Sequence, residues 1–387
     1  MPVPVLDTRT LNRTLLARQL LLARVTTPPI EAIDHLVGLQ AQVPTSPYIA
    51  LWSRLEAYDP AVVAEEVLAG RLVRMALMRS TIHLVTVEDA LSLRAVMQPV
   101  LDAELYRNRT WSVGLEGVDI GPVLDVGRAL IEERPRPLRE LRAAMAERFP
   151  DRDATTLAYT VRNLLPTYQV PPRGAWGRAA EPTLGALDHA TGRPMGSDPS
   201  PDDAVLRYLA AFGPASVADV AAWSRLTGMR AVLERLRPGL HTFRDEAGRE
   251  LFDVPDWLLA EADLPAPVRF LPDYDNALLS HDDRSRILPD AFRAITRERG
   301  GPSFLVDGFV AGFWRLRRPG ARTGAKAGGT AGGTAAGKAG GNARAVIEVE
   351  PLARLSGADR AAVEAEAVAL LGLLAPDGGD VRFVSPA

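Results

Sequence analysis

Apolar residues in the N-terminal part of the chain recur at helical spacing and are cut off by prolines. Leu15, Leu16, Gln19, Leu20 and Ala23 share one face of a helix predicted over residues 11–23. A second helix is predicted over 30–39, opened by Pro28 and Pro29, with Ile33, Leu36, Val37 and Leu39 inward. Two short helices follow over 49–54 and 60–69, and then two strands over 72–77 and 82–85, joined through Met78-Arg79-Ser80-Thr81. The order recurs. Helices are predicted over 121–133, 137–149 and 154–165, followed by a strand-like and loop-like segment over 168–178. A third set spans 201–212, 216–225 and 229–236, and its strands 240–244 and 250–254 flank the turn Asp245-Glu246-Ala247-Gly248. Short helices closed by a two-stranded ribbon describe a winged-helix module.

From Val268 the period changes from helical to alternating. Segments 269–272, 304–307, 309–316 and 345–349 read as strands, with Asp307-Gly308 as a tight turn between two of them. Residues 356–374 form an amphipathic helix and 381–384 a last strand. The expected architecture is α+β and mainly helical. Three tandem winged-helix modules (1–115, 116–198 and 199–265) lead into a small antiparallel β-barrel or curved sheet with a C-terminal helix (266–387). Residues 319–343 contain GARTGAKAGGTAGGTAAGKAGG, a run too poor in apolar side chains to build a core, and are expected to be a disordered insertion.

Composition narrows the function classes. The 387 residues are 47% hydrophobic with no apolar run of membrane-spanning length, and no basic-then-apolar leader opens the chain. Cysteine is absent, which removes disulfides, thiol nucleophiles and cysteine-ligated zinc and fits a cytoplasmic, monomeric protein. The net charge of −3 hides an uneven distribution. Residues 134–193 carry ten Arg against six acids, and residues 245–283 carry eleven acids against two Arg. A near-neutral average is therefore compatible with a basic face for a polyanion.

Several familiar chemistries find no support. His35, His83, His189, His241 and His281 are scattered without an HExxH pattern, so no metal and no cofactor is expected. Asp273, Asp275, Asp282 and Asp283 in LPDYDNALLSHDDR read either as an acid–base cluster or as helix caps and turn aspartates, and the second reading is preferred. His83 on its strand reads as a hydrogen-bonded packing residue. Gln40 and Gln42 in VGLQAQVPTSPY stand two apart just before a proline turn, either as surface amides or as a pair of hydrogen-bonding groups held on a loop.

Six segments change that balance. LNRTLLARQLLLAR, VGLQAQVPTSPYIALWSRL, RLVRMALMRSTIHLVTVEDA, FGPASVADVAAWSRL, FLPDYDNALLSHDDRSRIL and FLVDGFVAGFWRL, taken in order, resemble the AlkZ/YcaQ family of winged-helix DNA glycosylases. The resemblance implies winged helices around duplex DNA and hydrolysis of the N-glycosidic bond of N7-alkylated purines, including bulky or crosslinking adducts. It also implies that Gln40-Ala41-Gln42 is the catalytic motif, with Gln42 positioning the attacking water, Gln40 supporting it or the developing sugar cation, and His83 a site neighbour. The partner is then double-stranded DNA. Its phosphates are expected to meet Arg71, Arg74, Arg79, Arg107, Arg109, Arg136, Arg139, Arg173 and Arg178. Two other readings keep the same fold: a transcriptional regulator without chemistry, and a protein that binds adducts without releasing them.

Overall fold

The computed structural model describes residues 3–255, 257, 259–318 and 344–385. The glycine- and alanine-rich insertion expected over 319–343 lies outside the described residues. The strands are β1 (Val5–Leu6), β2 (Leu39–Gln40), β3 (Leu72–Ala76), β4 (Ile82–Thr86), β5 (Arg136–Pro137), β6 (Thr167–Gln169) and β7 (Thr183–Ala186). They continue as β8 (His241–Asp245), β9 (Glu250–Asp253), β10 (Arg269–Leu271), β11 (Ser303–Val306), β12 (Phe309–Arg317), β13 (Ala345–Pro351) and β14 (Gly379–Phe383).

The three helix–helix–helix–hairpin sets form in the expected order. The first runs Pro29–His35, Ser46–Arg54 and Pro60–Leu68 into β3 and β4. The second runs Ile120–Glu133, Leu138–Arg148 and Ala154–Leu164 into β6 and β7. The third runs Asp202–Phe212, Val217–Ser224 and Met229–Leu236 into β8 and β9. Local chemistry marks several starts. Asp59 and Asp153 cap their helices through backbone amides, and Ser216 with Asp219 forms a reciprocal capping box.

These sets do not stand apart. The first two hairpins merge through β3 and β6 into one sheet of order β2-β4-β3-β6-β7-β5, which crosses the 115/116 boundary. Strand β1 pairs in parallel with β8, so the N-terminus completes the sheet of the third set. One apolar core runs from Leu15 and Leu16 through Met75 and Val85 to Tyr208, Phe212, Trp223 and Leu305, joining the first and third sets, while the helices of the second set pack around a core of their own, with Val123, Ile131, Leu141, Leu157 and Val161.

Helix Val87–Arg107 is absent from the predicted elements. Thr86 caps it at Asp89, but residues buried on most sides, including Leu91, Arg94, Met97 and Leu101, leave no clean polar stripe. Its apolar residues therefore show no 3.6-residue contrast to read.

The C-terminal part corrects the barrel. The sheet order is β10-β11-β12-β13-β14, open at both edges among the described residues, and β14 lies parallel to β13. A parallel pair needs a crossover, and helix Gly357–Leu374 supplies it. That helix lays Val363, Ala367, Leu370 and Leu371 over Phe270, Phe304, Trp314 and Ile347, so one face of the sheet is closed by a helix and not by strand curvature. Asp307-Gly308 forms the expected turn, with both residues in the left-handed region.

Buried ion pairs tie the N-terminal helices to the acid-rich later segment. Arg54 binds both Asp275 oxygens at 2.8 and 2.9 Å with both side chains fully buried, and donates to the carbonyls of Gln19 and Ala50. Arg18 binds Asp253 in the same two-pronged way at 2.6 and 2.8 Å. Removing one partner of such a pair leaves a charge in apolar surroundings. Asp275→Asn should therefore lower unfolding free energy by about 3–5 kcal/mol in urea titrations, and the double replacement Arg54→Met with Asp275→Leu by distinctly less.

Candidate active site

Gln40 and Gln42 reach their positions by different routes. The helix expected over 30–39 stops at His35, and Val37 and Gly38 turn the chain through positive φ (54° and 85°). A Cβ at Gly38 would run into the Val85 side chain and the Leu84 carbonyl, so glycine is required for the chain to press against β4. Leu39 and Gln40 then pair with Leu84 and His83, and the Ala41 amide donates to the Ile82 carbonyl at 2.7 Å. The motif is thus an edge strand running into a turn, and not a free loop. Gln40 is buried at 6% exposure, whereas Gln42 is exposed, its Oε1 accepting from the Ile82 amide at 3.3 Å.

Arg79 completes the centre. The link between β3 and β4 is a tight turn in which Arg79 and Ser80 both adopt left-handed backbone (φ 57° and 58°), a conformation side-chain-bearing residues enter at a cost. The turn drives the Arg79 side chain inward. Its Nη2 donates to Gln40 Oε1 at 2.7 Å and lies 3.4 Å from His83 Nε2, while its Nη1 donates to the Trp223 carbonyl at 2.9 Å. An arginine can only donate, so the atom facing it is the amide oxygen, and the Gln40 NH₂ is left for other partners. His83 Nδ1 stands 3.0 Å from the Thr81 carbonyl, which places the ring proton on Nδ1 and leaves Nε2 as the acceptor toward Arg79.

The charges follow from burial. The low-dielectric surroundings, reinforced by the Arg79 charge, push the His83 imidazole down to about 3. Burial together with the nearby Arg225 and Arg284 lowers the Arg79 guanidinium to about 10, which still leaves it charged at neutral pH. An open cleft of about 840 Å³ beside this centre is lined by Gln40, Arg79, Thr81, Arg225, His281 and Arg284, with Asp282 its carboxylate.

The remaining arginines nominated from the sequence scatter. Arg74 is buried, donating to the Ala41 carbonyl and to Gln169 at 2.6 Å each, so it braces the QAQ backbone from behind. Arg173 is buried and donates to the Ala180 carbonyl. Arg71 is held by Glu66, Arg136 by Glu133, and Arg139 by Glu181. Arg107, Arg109 and Arg178 are exposed and away from the cleft lining. Arg225, His281 and Arg284 line the cleft without having been nominated. Asp275 caps helix Asn276–Leu279 at Ala277, in line with the cap reading of LPDYDNALLSHDDR, and Asp283 pairs with Arg249 and Arg293.

The comparisons with known proteins agree with the geometry. The family model of AlkZ-like DNA glycosylases matches residues 33–373, so the chain belongs to that family of DNA glycosylases. Among solved structures it is similar to the Streptomyces sahachiroi DNA glycosylase AlkZ, with a TM-score of 0.75 at 20% identity over 98% of this chain and 100% of the other, a likeness of fold. No curated protein sequence matches the chain. No helix among the described residues is long and apolar enough to cross a membrane.

The His83 shift has a consequence for stability. Its folded value lies below the ordinary value of 6.5, so between pH 6.5 and about 3 the unfolded chain binds the extra proton and stability falls as pH falls. His83→Gln should remove about one proton from the difference in uptake, flattening the pH dependence of unfolding free energy by about 1.4 kcal/mol per pH unit in that window. Denaturant titrations of both proteins between pH 4 and pH 7 check this, and parallel curves would refute it.

Proposed function

We propose that the chain hydrolyses the N-glycosidic bond of cationic N7-alkylated purines in duplex DNA, bulky and crosslinking adducts included, with Gln40 and Gln42 as the catalytic pair. The observation that carries this reading is the fixed Gln40 amide: Arg79 and the β2–β4 pairing hold it at the edge of the cleft, with Gln42 exposed two residues on.

An N7-alkylguanine is already positively charged, so the base leaves neutral and needs no acid. What remains is an oxocarbenium-like sugar and its capture by water. Gln42 can take a water hydrogen on the second lone pair of Oε1 and orient the attack. Gln40, its carbonyl held by a cation, presents a polarised N–H pair to the substrate. Neither amide changes charge, so catalysis leans on the instability of the substrate cation and should be weak toward neutral lesions.

The reading is of a monofunctional enzyme. Strand cleavage by β-elimination runs through an amine, and the two lysines, Lys326 and Lys338, both fall in the low-complexity insertion. We read the three helix–helix–helix–hairpin sets as winged-helix modules wrapped on the duplex, with Arg107, Arg109 and Arg178 as exposed cations available to its phosphates. Holding the amides on an edge strand and not deep in a pocket suits adducts too large to be flipped out of the helix. The alkyl group is expected to come from toxic natural products, whether in repair or in self-resistance.

Two replacements separate the amides from the cleft carboxylate. Gln42→Ala should lower single-turnover release of N7-methylguanine from duplex DNA by about 10²–10³-fold, the size of a lost transition-state contact. Asp282→Asn should stay within about threefold of wild type; the reverse pattern would transfer the chemistry to Asp282 and refute the amide mechanism.

A Gln40 assay complements these. Arg79→Lys removes the planar fork and should slow release while leaving duplex binding within about twofold, because a point charge cannot hold both Gln40 and the Trp223 carbonyl. Release at the wild-type rate would show that Gln40 does not need this brace.

A further inference from the structure

The cleft beside Gln40 does not end at Arg284. A second cleft of about 660 Å³, lined by Asp282, Arg284, Leu288, Arg293, Thr296 and Arg297, shares Asp282 and Arg284 with the first. Together they make one groove leading from the catalytic amides past the end of helix Val217–Ser224 toward helix Arg293–Arg299.

Its cations differ from those around it. Several arginines in this part of the molecule are clamped by acids: Arg235 by Asp202, Arg237 by Glu234 and Glu250, and Arg249 by Asp245 and Asp283. Arg225, Arg284 and Arg297 have no ion pair within 4.0 Å among the described residues. Arg225 stands at the left-handed C-cap of its helix (φ 63°), which aims it out over the groove mouth. Arg79 beneath them is partly buried and bonded only to neutral acceptors, so its charge adds to theirs. In the second cleft the Thr296 hydroxyl is buried with no hydrogen-bond partner. Burial lowers the Arg284 guanidinium most, and the attraction of Asp282 there is opposed by a smaller repulsion from Arg297. A groove whose five guanidiniums include four without an acid partner among the described residues, against one carboxylate in its lining, is short of anions.

We propose that this groove seats consecutive backbone phosphates of the DNA strand being repaired, with Arg225 and Arg284 on those nearest Gln40 and Arg297 farther out. The proposal rests on the glycosylase reading for the identity of the polyanion, and it moves the phosphate contacts away from most of the arginines that local sequence would nominate. Phosphates drawn to this line bring the adjoining sugar to the edge strand that carries the catalytic amides. Each neutralised phosphate releases condensed counterions, so each contact has a signature in salt dependence.

The test is binding of the full chain to an undamaged duplex, followed by fluorescence anisotropy from roughly 50 to 200 mM KCl. Arg225→Ala and Arg284→Ala should each reduce the slope of log K against log salt by about 0.9, and Arg284→Lys should restore it. Arg193→Ala, which removes a cation already clamped by Glu88, should keep the wild-type slope. Thermal midpoints should not move for Arg225→Ala, because that side chain has no protein partner to lose. Wild-type slopes in both alanine variants, or a slope loss in Arg193→Ala equal to theirs, would overturn the groove. Gln42→Ala separates this from the catalytic reading. It should lower base release at saturating protein by about 10²–10³-fold while keeping the full salt slope. Release by Gln42→Ala at the wild-type rate would sink the amide chemistry and leave the groove standing on its own binding result.

Discussion

The site depends on one pair of adjacent side chains far from it in sequence. Asp275 takes Arg54 in a fully buried two-pronged ion pair, and Arg54 ends the helix that follows the QAQ turn. Asn276 donates to the Gly38 carbonyl at 2.8 Å, at the left-handed turn that precedes the same motif. The chain entering the motif and the chain leaving it are thus held by neighbouring residues of one loop. A buried pair of this kind adds little net stability, because desolvation cancels most of the attraction, but it strongly penalises any arrangement in which the partners are apart. Its value here is geometric. It leaves one register for Gln40 against His83.

The same logic accounts for the charge pattern. The acid-rich stretch from Asp245 to Asp283 is consumed largely by arginines of other elements, Arg18 at Asp253, Arg54 at Asp275 and Arg249 at Asp245 and Asp283. Arginines in the basic stretch are similarly spent on Glu133, Glu140 and Glu181. Among the cations left unclamped, Arg225, Arg284 and Arg297 form a short line that begins beside Gln40. Linear charge density along the chain therefore points away from the functional face, because pairing across the fold cancels the densest runs.

The centre we propose, two glutamines braced by an arginine, has an unusual electrostatic character. The side-chain partner of Gln40 is the Arg79 guanidinium, and burial beside that charge keeps the neighbouring His83 neutral, with its Nε2 an acceptor. Such a centre orients and polarises but does not neutralise. It suits a substrate that carries its own leaving-group activation, and on the proposed reading the guanidiniums nearby serve phosphate and not the cationic base.

How much of this was legible along the chain differs by element. Proline breaks, capping residues and Asp-Gly turns are local, so the three helical sets and the first and third strand pairs could be read from spacing alone, whereas β7 lies beyond the 168–178 segment expected to follow the second set; QAQ stood out as a motif by its resemblance to the glycosylase family. Helix Val87–Arg107 escaped because a segment buried on most sides has no polar face to give it a period. The closed barrel failed because strand pattern does not encode direction, and a crossover helix made the last pair parallel. The division at the site is the sharpest. The sequence by itself determined which residue types were present: two amides, a histidine on a strand and a surplus of arginine. Only the tertiary structure decided that Arg79 is a partly buried brace, that Arg74 supports the motif from behind, and that Arg225 and Arg284 line the cleft without an acid partner among the described residues. A guanidinium's role is set by whether a carboxylate reaches it, and those carboxylates arrive from distant parts of the chain.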